Sequence, residues 1–587
     1  MGEKRYDYNE AAALLIPEHK ICIINFDEVQ ETAFLDYCED FIEDLGFLSE
    51  KYEYRNEIGR PRKWKNELIL ELNASSIESI EELEAMLRIQ DKNNQRKADF
   101  LISLLIGSIN DIKTIGTDAP DSLLDQIKKK IVLFDGEQSL FVYSDKKRDE
   151  NKRITIQGLA GTGKTELLLH KLKELYTNDK ECKIVFTCFN YILAKNMRKR
   201  VPEFFNFMKV DEQIEWEKRL WVIRSWGSGN DPNSGVYRMI CDHYNIPFRS
   251  YSYNWNFDKV CTDALEQLEE IGPIEPFLDY VLIDESQDFS ESFFRLCEKV
   301  TKKNIYIAGD IFQNIYDIGL EDSVKSDYLL NRCYRTDPRT LMLSHAIGMG
   351  LYEKPIIRWL SKEEWQLCGY EYEDNEGCCT LKRVPIRRFE DSIDKEIENA
   401  RLIATGGNII KTIIDIINDI IKEHNTVQPD DIAIVFVGEN KEIYETADAL
   451  VIAIKKEFGW KAIKGYEIKD KIEKAIFISN KNNIKGLEFP FVICIENEKI
   501  TDDIFQRNTL YMALTRSFIA SYFIINNNLL VDNSAFIETY KGAARQIQEN
   551  NQMILRKPDV NEVKEQNNRI RIMAKKGVPL KRLSTKY

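Results

Sequence analysis

The chain has 587 residues, enough for three or four domains, and its 43% hydrophobic and 30% charged residues match a soluble globular enzyme. No run approaches the roughly 20 consecutive apolar residues a bilayer span needs, and Met1-Gly2-Glu3-Lys4-Arg5 leads into no apolar signal core, so a cytoplasmic protein without a membrane partner is expected. A net charge of −15 excludes a uniformly basic, polyanion-coating surface, so a nucleic-acid partner would need a localised basic track.

Residues 1–130 mix apolar stretches, Ile21–Phe26 and Leu68–Leu72, with acidic helical runs, and an α+β accessory domain is expected there. Asp27–Glu50 carries nine carboxylates and no Lys or Arg, the pattern of a solvated helical surface. Glu67 to Asn73 lacks the lysine of an ExK metal site, so no fused nuclease is expected. From Arg153 onward short β-branched runs alternate with amphipathic helices, the signature of parallel α/β architecture. The strands expected are Arg153–Gln157, Lys183–Thr187, Trp221–Ile223, Tyr280–Ile283 and Asn304–Ala308, then Ile432–Val437, Ala475–Ser479, Phe491–Ile495 and Ser521–Ile525. These series imply an α/β fold with two parallel-sheet nucleotide-fold domains, over 131–340 and 431–535, joined by a helical segment 341–430. Residues 536–587 read as a helix and a basic tail; Lys541–Tyr587 holds twelve Lys or Arg against four Asp or Glu. The twelve cysteines are scattered, and Cys368, Cys378 and Cys379 lack both CxxC spacing and a nearby histidine, so reduced thiols rather than zinc are expected. The histidines form no HxxxH or HExxH pair, which disfavours a metal hydrolase.

Gly158-Leu159-Ala160-Gly161-Thr162-Gly163-Lys164-Thr165 fits GxxxxGK[ST], between an expected strand and an expected helix. The glycines let backbone N–H groups turn inward around phosphate oxygens, and the following helix N-terminus favours negative charge. Lys164 is suited to the β and γ phosphates of ATP, and the Thr165 hydroxyl to Mg²⁺. Asp284-Glu285 follows the apolar run Tyr280–Ile283, at the strand end that faces ligands in such sheets. There Asp284 would hold the metal and Glu285 would orient or deprotonate the attacking water.

Asp284-Glu285-Ser286-Gln287-Asp288 resembles the DExQD motif of UvrD/Rep-type superfamily 1 helicases, and further segments follow in that family's order. Phe134-Asp135-Gly136-Glu137-Gln138 resembles the Q motif, whose glutamine reads adenine. Phe186-Thr187-Cys188-Phe189-Asn190 resembles motif Ia, and Arg224-Ser225-Trp226-Gly227 the next strand-binding segment. Gly309-Asp310 through Gln313 to Tyr316 resembles motif III, and Cys333-Tyr334-Arg335-Thr336 motif IV. Ile484-Lys485-Gly486-Leu487-Glu488-Phe489 resembles motif V, and Leu510 through Thr515-Arg516 motif VI.

The resemblance implies two RecA-like P-loop domains and an ATP hydrolase of the DNA helicase or translocase type, using ATP and Mg²⁺. Its implied catalytic set is Lys164, Asp284, Glu285, Gln313, Arg335 and Arg516. Nucleotide contacts fall to Gln138, Gly158, Gly161, Thr162, Gly163, Lys164, Thr165 and Glu488, with Thr165 and Asp284 on the metal. Phe189, Asn190, Ser225, Trp226 and Tyr316 fall on the implied strand site, and Lys195, Arg198, Lys199 and Arg200 could track phosphates. Single-stranded DNA is the implied partner, with RNA left open and travel in the 3′ to 5′ direction.

Four departures stand out. Asp317-Ile318-Gly319 replaces the family's Trp-Arg-Gly-Ala, and Asn480-Lys481-Asn482 replaces Thr-x-His. Glu166 stands where many relatives carry Arg. Only 58 residues separate Ser225 from Asp284, too few for a full-sized insert. A compact relative is therefore expected. It is either a translocase with weak unwinding or a nucleic-acid-gated ATPase switch, the sensor subunit of a nuclease complex in DNA repair or anti-phage defence.

Overall fold

A computed structural model of the chain describes residues 6–143, 152–159, 161–310, 326–330, 336–383, 400–438, 441–467, 473–484 and 486–575. The chain divides into two compact units, Met1–Asp145 with Val201–Gln213, and Lys146–Arg200 with Ile214–Tyr587.

In the first unit, β1 (Ala11–Leu14) runs antiparallel to β2 (Ile21–Asn25), which runs parallel to β3 (Ile69–Asn73). The helix Glu31–Lys51 buries Phe34, Cys38, Phe41, Ile42 and Leu45 at three- and four-residue spacing, and its carboxylates take the opposite face. That apolar stripe shares a core with Ile21, Ile23, Leu68 and the buried helix face around Phe100. The unit is α+β.

The second unit holds two parallel six-stranded sheets. The first comprises β4 (Arg153–Gly158), β5 (Ile184–Cys188), β6 (Leu220–Arg224), β7 (Leu278–Ile283), β8 (Thr301–Asp310) and β9 (Tyr328–Leu330), in the order β6-β5-β7-β8-β4-β9. After these come β10 (Glu371–Asn375) and β11 (Cys378–Lys382). The second sheet follows with β12 (Ala400–Thr405), β13 (Ile432–Phe436), β14 (Lys461–Lys464), β15 (Ala475–Asn480), β16 (Phe489–Glu496) and β17 (Ser517–Asn526), ordered β12-β17-β16-β13-β15-β14. Strands β5, β13 and β16 are buried at every residue, as helices on both faces of a parallel sheet require. The fold class is the expected α/β pair of RecA-like lobes, and all nine expected strands are present.

Two stretches differ from expectation. Residues 341–430, read as helical, also supply β10, β11 and β12. The tail read as helix contains β18 (Gln552–Arg556), which pairs antiparallel with β11 into a three-stranded sheet. Glu371-Tyr372-Glu373-Asp374-Asn375 is nearly all exposed, so it lacked the apolar run that marks a buried strand. The second sheet likewise begins at β12, ahead of the 431 read from the strand series. The helix Pro338–Met349 is buried at all positions and packs against the helices Ile504–Leu514 and Ser534–Asn550, inside the second lobe. Among the described residues no helix is long and apolar enough to cross a membrane.

Candidate active site and strand interface

Three adjacent strands deliver their C-terminal ends to one place. Gly158, the last residue of β4, is the register partner of Asp310 at the end of β8, and β8 pairs on its other side with β7, which ends one residue before Asp284. Beyond Gly158 the chain turns through Gly161 (φ 78°) and Gly163 (φ 86°), backbone that L side chains rarely adopt, and enters the helix Lys164–Asn178. A Cβ on Gly158 would stand 2.6 Å from the Thr162 hydroxyl and 2.9 Å from Leu330 Cβ, so the tight cradle requires glycine there. The Lys164 ammonium donates to the carbonyls of Gly158 (2.9 Å) and Leu159 (2.8 Å), folded over its own loop.

The two residues expected on the metal are neighbours. The Thr165 hydroxyl donates to Asp284 Oδ2 at 2.8 Å, putting two hard oxygen ligands side by side at the helix start. Asp284 is only 1% exposed, and burial, reinforced by the charge of Glu285, pushes its carboxyl up to about 6. A divalent cation would favour the ionised form there, so the donor set fits Mg²⁺. Glu285 sits in the left-handed region (φ 55°), a conformation costing roughly 1 kcal/mol or more outside glycine. Two hydrogen bonds hold it: its N–H donates to Asp284 Oδ1 at 3.0 Å, and its carboxylate accepts from the Gln287 amide. Gln287 Oε1 in turn accepts the Asp310 N–H at 3.0 Å. One glutamine therefore ties Glu285 to the end of β8, a bridging role the DExQD pattern contained and the sequence reading left unassigned.

The second lobe closes this site. A cleft is lined by Glu285, Gln287, Asp288, Asn190 and Leu193 on one side and by Gly486, Met512 and Arg516 on the other. Arg516 is 6% exposed, and its Nε–H donates to the Met512 carbonyl at 3.0 Å, the C-terminal end of the helix Ile504–Leu514. The lobes meet closely: a Cβ on Gly486 would lie 2.9 Å from Leu193. Glu488 follows Gly486 on the segment entering β16. The Asp337 N–H donates to the Phe518 carbonyl at 3.3 Å, joining the chain just after Arg335 to the strand just after Arg516. Gln313, Tyr316, Arg335 and Lys485 lie outside the described residues.

Gln138 belongs to the other unit, where it is 4% exposed. Its N–H donates to Asp135 Oδ1 at 2.8 Å, and its Oε1 accepts the Asp135 N–H at 3.0 Å, a reciprocal helix-start pair.

The residues implied for strand binding are placed unevenly. Phe189 is half-buried among Phe257 and Phe289, ring centroids 5.6 and 5.7 Å away. Asn190 Oδ1 accepts the Ile192 N–H at 2.8 Å at the start of the helix Tyr191–Phe207. Ser225 is fully buried, whereas Trp226 is half-buried, its indole N–H donating to the Arg249 carbonyl at 3.0 Å. Of the basic cluster, Arg198 lies 3.4 Å over the Trp216 ring and Arg200 pairs with Glu166. Near Asn480 the altered triplet forms a turn, its side-chain oxygen accepting the N–H groups of Asn482 and Asn483 at 3.2 Å. Among the described residues no cluster of three His, Cys, Asp or Glu side chains could hold a metal, and burial pushes the Cys368 and Cys379 thiols up to about 12 and 11.

Two parallel α/β lobes with a P-loop on one and an arginine from the other define a two-lobed P-loop ATPase. The profile of an AAA domain matches residues 146–318, and that of the UvrD-like helicase C-terminal domain matches 475–524. Both matched domains, in this order, make the chain similar to the UvrD-like helicases of superfamily 1. No curated protein matches it. Among solved structures, the C-terminal domain of a "possible DNA helicase" from Lactobacillus plantarum WCFS1 is 17% identical over 25% of this chain and 84% of that one, with a TM-score of 0.18. The DUF1998 helicase MrfA bound to DNA is 12% identical over 73% of this chain and 50% of that one, with a TM-score of 0.35. These helicase-family domains support an ATP-hydrolysing enzyme.

Proposed function

We propose that the chain is an ATP-driven translocase on single-stranded DNA moving 3′ to 5′, with weak unwinding of its own. The observation that carries the reading is Arg516 facing Glu285 across a cleft between two parallel-sheet lobes. Bound ATP would supply the γ-phosphoryl group, and Mg²⁺ held by Thr165 and Asp284 would neutralise its developing charge. Glu285, fixed by Gln287, orients or deprotonates the attacking water. Lys164 exchanges its loop carbonyls for phosphate oxygens, and Arg516, joined by Arg335 in this reading, meets the charge that spreads in the transition state. Gln313 senses the γ-phosphate, Glu488 contacts the nucleotide, and Gln138 reads adenine. Phe189, Asn190, Trp226 and Tyr316 contact the strand in this reading, and Ser225, which is buried, supports their segment from within. Because the arginine comes from the opposite lobe, nucleotide turnover alternately closes and frees the cleft, and that cycle moves the strand.

A second reading is a strand-gated ATPase switch serving a nuclease partner in repair or anti-phage defence. The short segment between β6 and β7, which adds the helices Val236–His243 and Phe257–Ile271 and a 3-10 turn at Pro232–Ser234, favours it, because processive unwinding commonly relies on larger inserts. ATPase rates with and without single-stranded DNA or RNA, run beside a fluorescent strand-displacement assay, separate the two. Stimulation with displacement supports the translocase, and stimulation without it supports the switch. No stimulation by any nucleic acid sinks both.

A further inference from the structure

Between β6 and the helix Phe257–Ile271 the chain builds a small projecting turn. Ser252 and Trp255 each donate the backbone N–H to the other's carbonyl at 3.2 Å, closing the turn with Tyr253 and Asn254 at its apex. Tyr253 is 101% exposed and Tyr251 55%, so folding gains almost nothing from burying the Tyr253 ring and leaves more than half of Tyr251 open. The stem is nevertheless fixed. The Tyr251 ring stands 5.9 Å from that of Trp226, whose indole donates to the Arg249 carbonyl at 3.0 Å. The Arg249 guanidinium lies 5.0 Å from the centre of the Trp255 ring and is held at 3.3 Å by Asp263.

Single exposed aromatics are ordinary on a protein surface. A run of rings on a hydrogen-bonded turn, beside a cation and continuous with Trp226, is a different object. The turn's backbone is pinned, so the rings are presented at a fixed place on the surface. We propose that residues 249–255 form a base-stacking shelf for single-stranded nucleic acid, with Tyr251 and Tyr253 extending the platform begun by Trp226. The assignment rests on the strand-motor reading above and adds where the unpaired bases are held. Single strand is favoured over duplex because a ring face needs an unstacked base face, which a duplex keeps inside its own stack. The inner end of the platform reaches the catalytic segment: Trp226 lies 5.2 Å from Phe257, and Phe257 6.2 Å from Phe289, which directly follows Asp288.

The test is binding of fluorescent oligo(dT) by anisotropy to the full chain, its Tyr251→Ala/Tyr253→Ala double variant and Tyr253→Phe, across a salt series. Stacking of this kind predicts roughly thirtyfold or more weaker binding by the double variant, and wild-type affinity for Tyr253→Phe, which keeps the ring. The slope of log affinity against log salt should not change, because no phosphate contact is removed. Binding of a duplex of equal length should be the same for all three proteins. Unaltered oligo(dT) affinity in the double variant overturns the shelf, as does an equal loss on duplex. If the unaltered chain binds no single strand even at low salt, the strand-motor reading itself fails, and the shelf with it.

Discussion

In the proposed reaction Arg516 and Lys164 serve different stages, and their surroundings separate the two roles. Lys164 sits in the phosphate cradle itself, so Lys164→Ala should abolish measurable turnover and weaken nucleotide binding together. Arg516 hangs from the end of the helix Ile504–Leu514 and faces Glu285 from the other lobe. Arg516→Ala should therefore spare binding of a fluorescent ATP analogue while slowing hydrolysis by about 10³- to 10⁵-fold, the range for such fingers. Arg516→Lys should rescue little, since an ammonium lacks the planar fork. Loss of analogue binding in Arg516→Ala would contradict the finger role. A second titratable group predicts a pH effect on stability. Glu496, at the end of β16, is 1% exposed, and burial with Glu498 nearby pushes its carboxyl up to about 7. The folded chain keeps this proton after the unfolded chain has lost it near the usual 4.5. Its contribution to stability therefore falls as pH rises from about 4.5 to 7 and levels off above. Glu496→Gln should remove about 2 kcal/mol of the stability lost between pH 5 and pH 8, read from urea unfolding at the two values. Parallel losses in variant and wild type would show that Glu496 is ionised throughout.

At the scale of elements, the helix that presents Arg516 is anchored at its other end. The Arg507 guanidinium is 2% exposed and meets both Glu353 oxygens, at 2.7 and 2.9 Å, while the Tyr540 hydroxyl donates to the same carboxylate at 2.8 Å. Glu353 is 23% exposed and keeps the Tyr540 hydrogen bond, so Arg507→Met, which removes its charged partner, should destabilise the chain by about 1–3 kcal/mol. A thermal midpoint unchanged within error would show the pair to be dispensable. This anchor could not be read from the sequence, because Glu353 and Arg507 are 154 residues apart and neither lies in a recognisable motif. The phosphate cradle was legible for the opposite reason: its glycines, lysine and threonine are contiguous and fix backbone geometry locally. The same contrast separates the strands. β13 and β16 announced themselves as unbroken apolar runs, whereas β10 is nearly all exposed and β18 finds its partner only through β11. Burial was equally invisible, since Ser225 occupies a strand-binding motif position and is 0% exposed, while Trp226 beside it is partly open.

At the scale of the whole molecule, the division into units does not follow the chain. Residues Val201–Gln213 belong with the N-terminal unit although Lys146–Arg200 and Ile214 onward form the other, and the helix Tyr191–Phe207 runs across the boundary. Within the first unit Lys209 pairs with Glu53 at 2.8 Å, and Val201, Phe204, Phe205 and Met208 are all buried. A chain begun at residue 146 would keep the P-loop, Asp284, Glu285 and Arg516, so the motor chemistry alone predicts an active truncation. Packing predicts otherwise. Val201, Phe204, Phe205 and Met208 cluster with the first unit, and exposing them would cost about 1.5–3 kcal/mol each, which approaches the whole stability of an ordinary domain. The truncated chain should therefore elute as aggregates in size-exclusion chromatography, whereas replacing Phe204, Phe205 and Met208 in it by polar residues should recover monomer. A monodisperse truncation without those replacements would show that 201–213 folds independently of the first 145 residues.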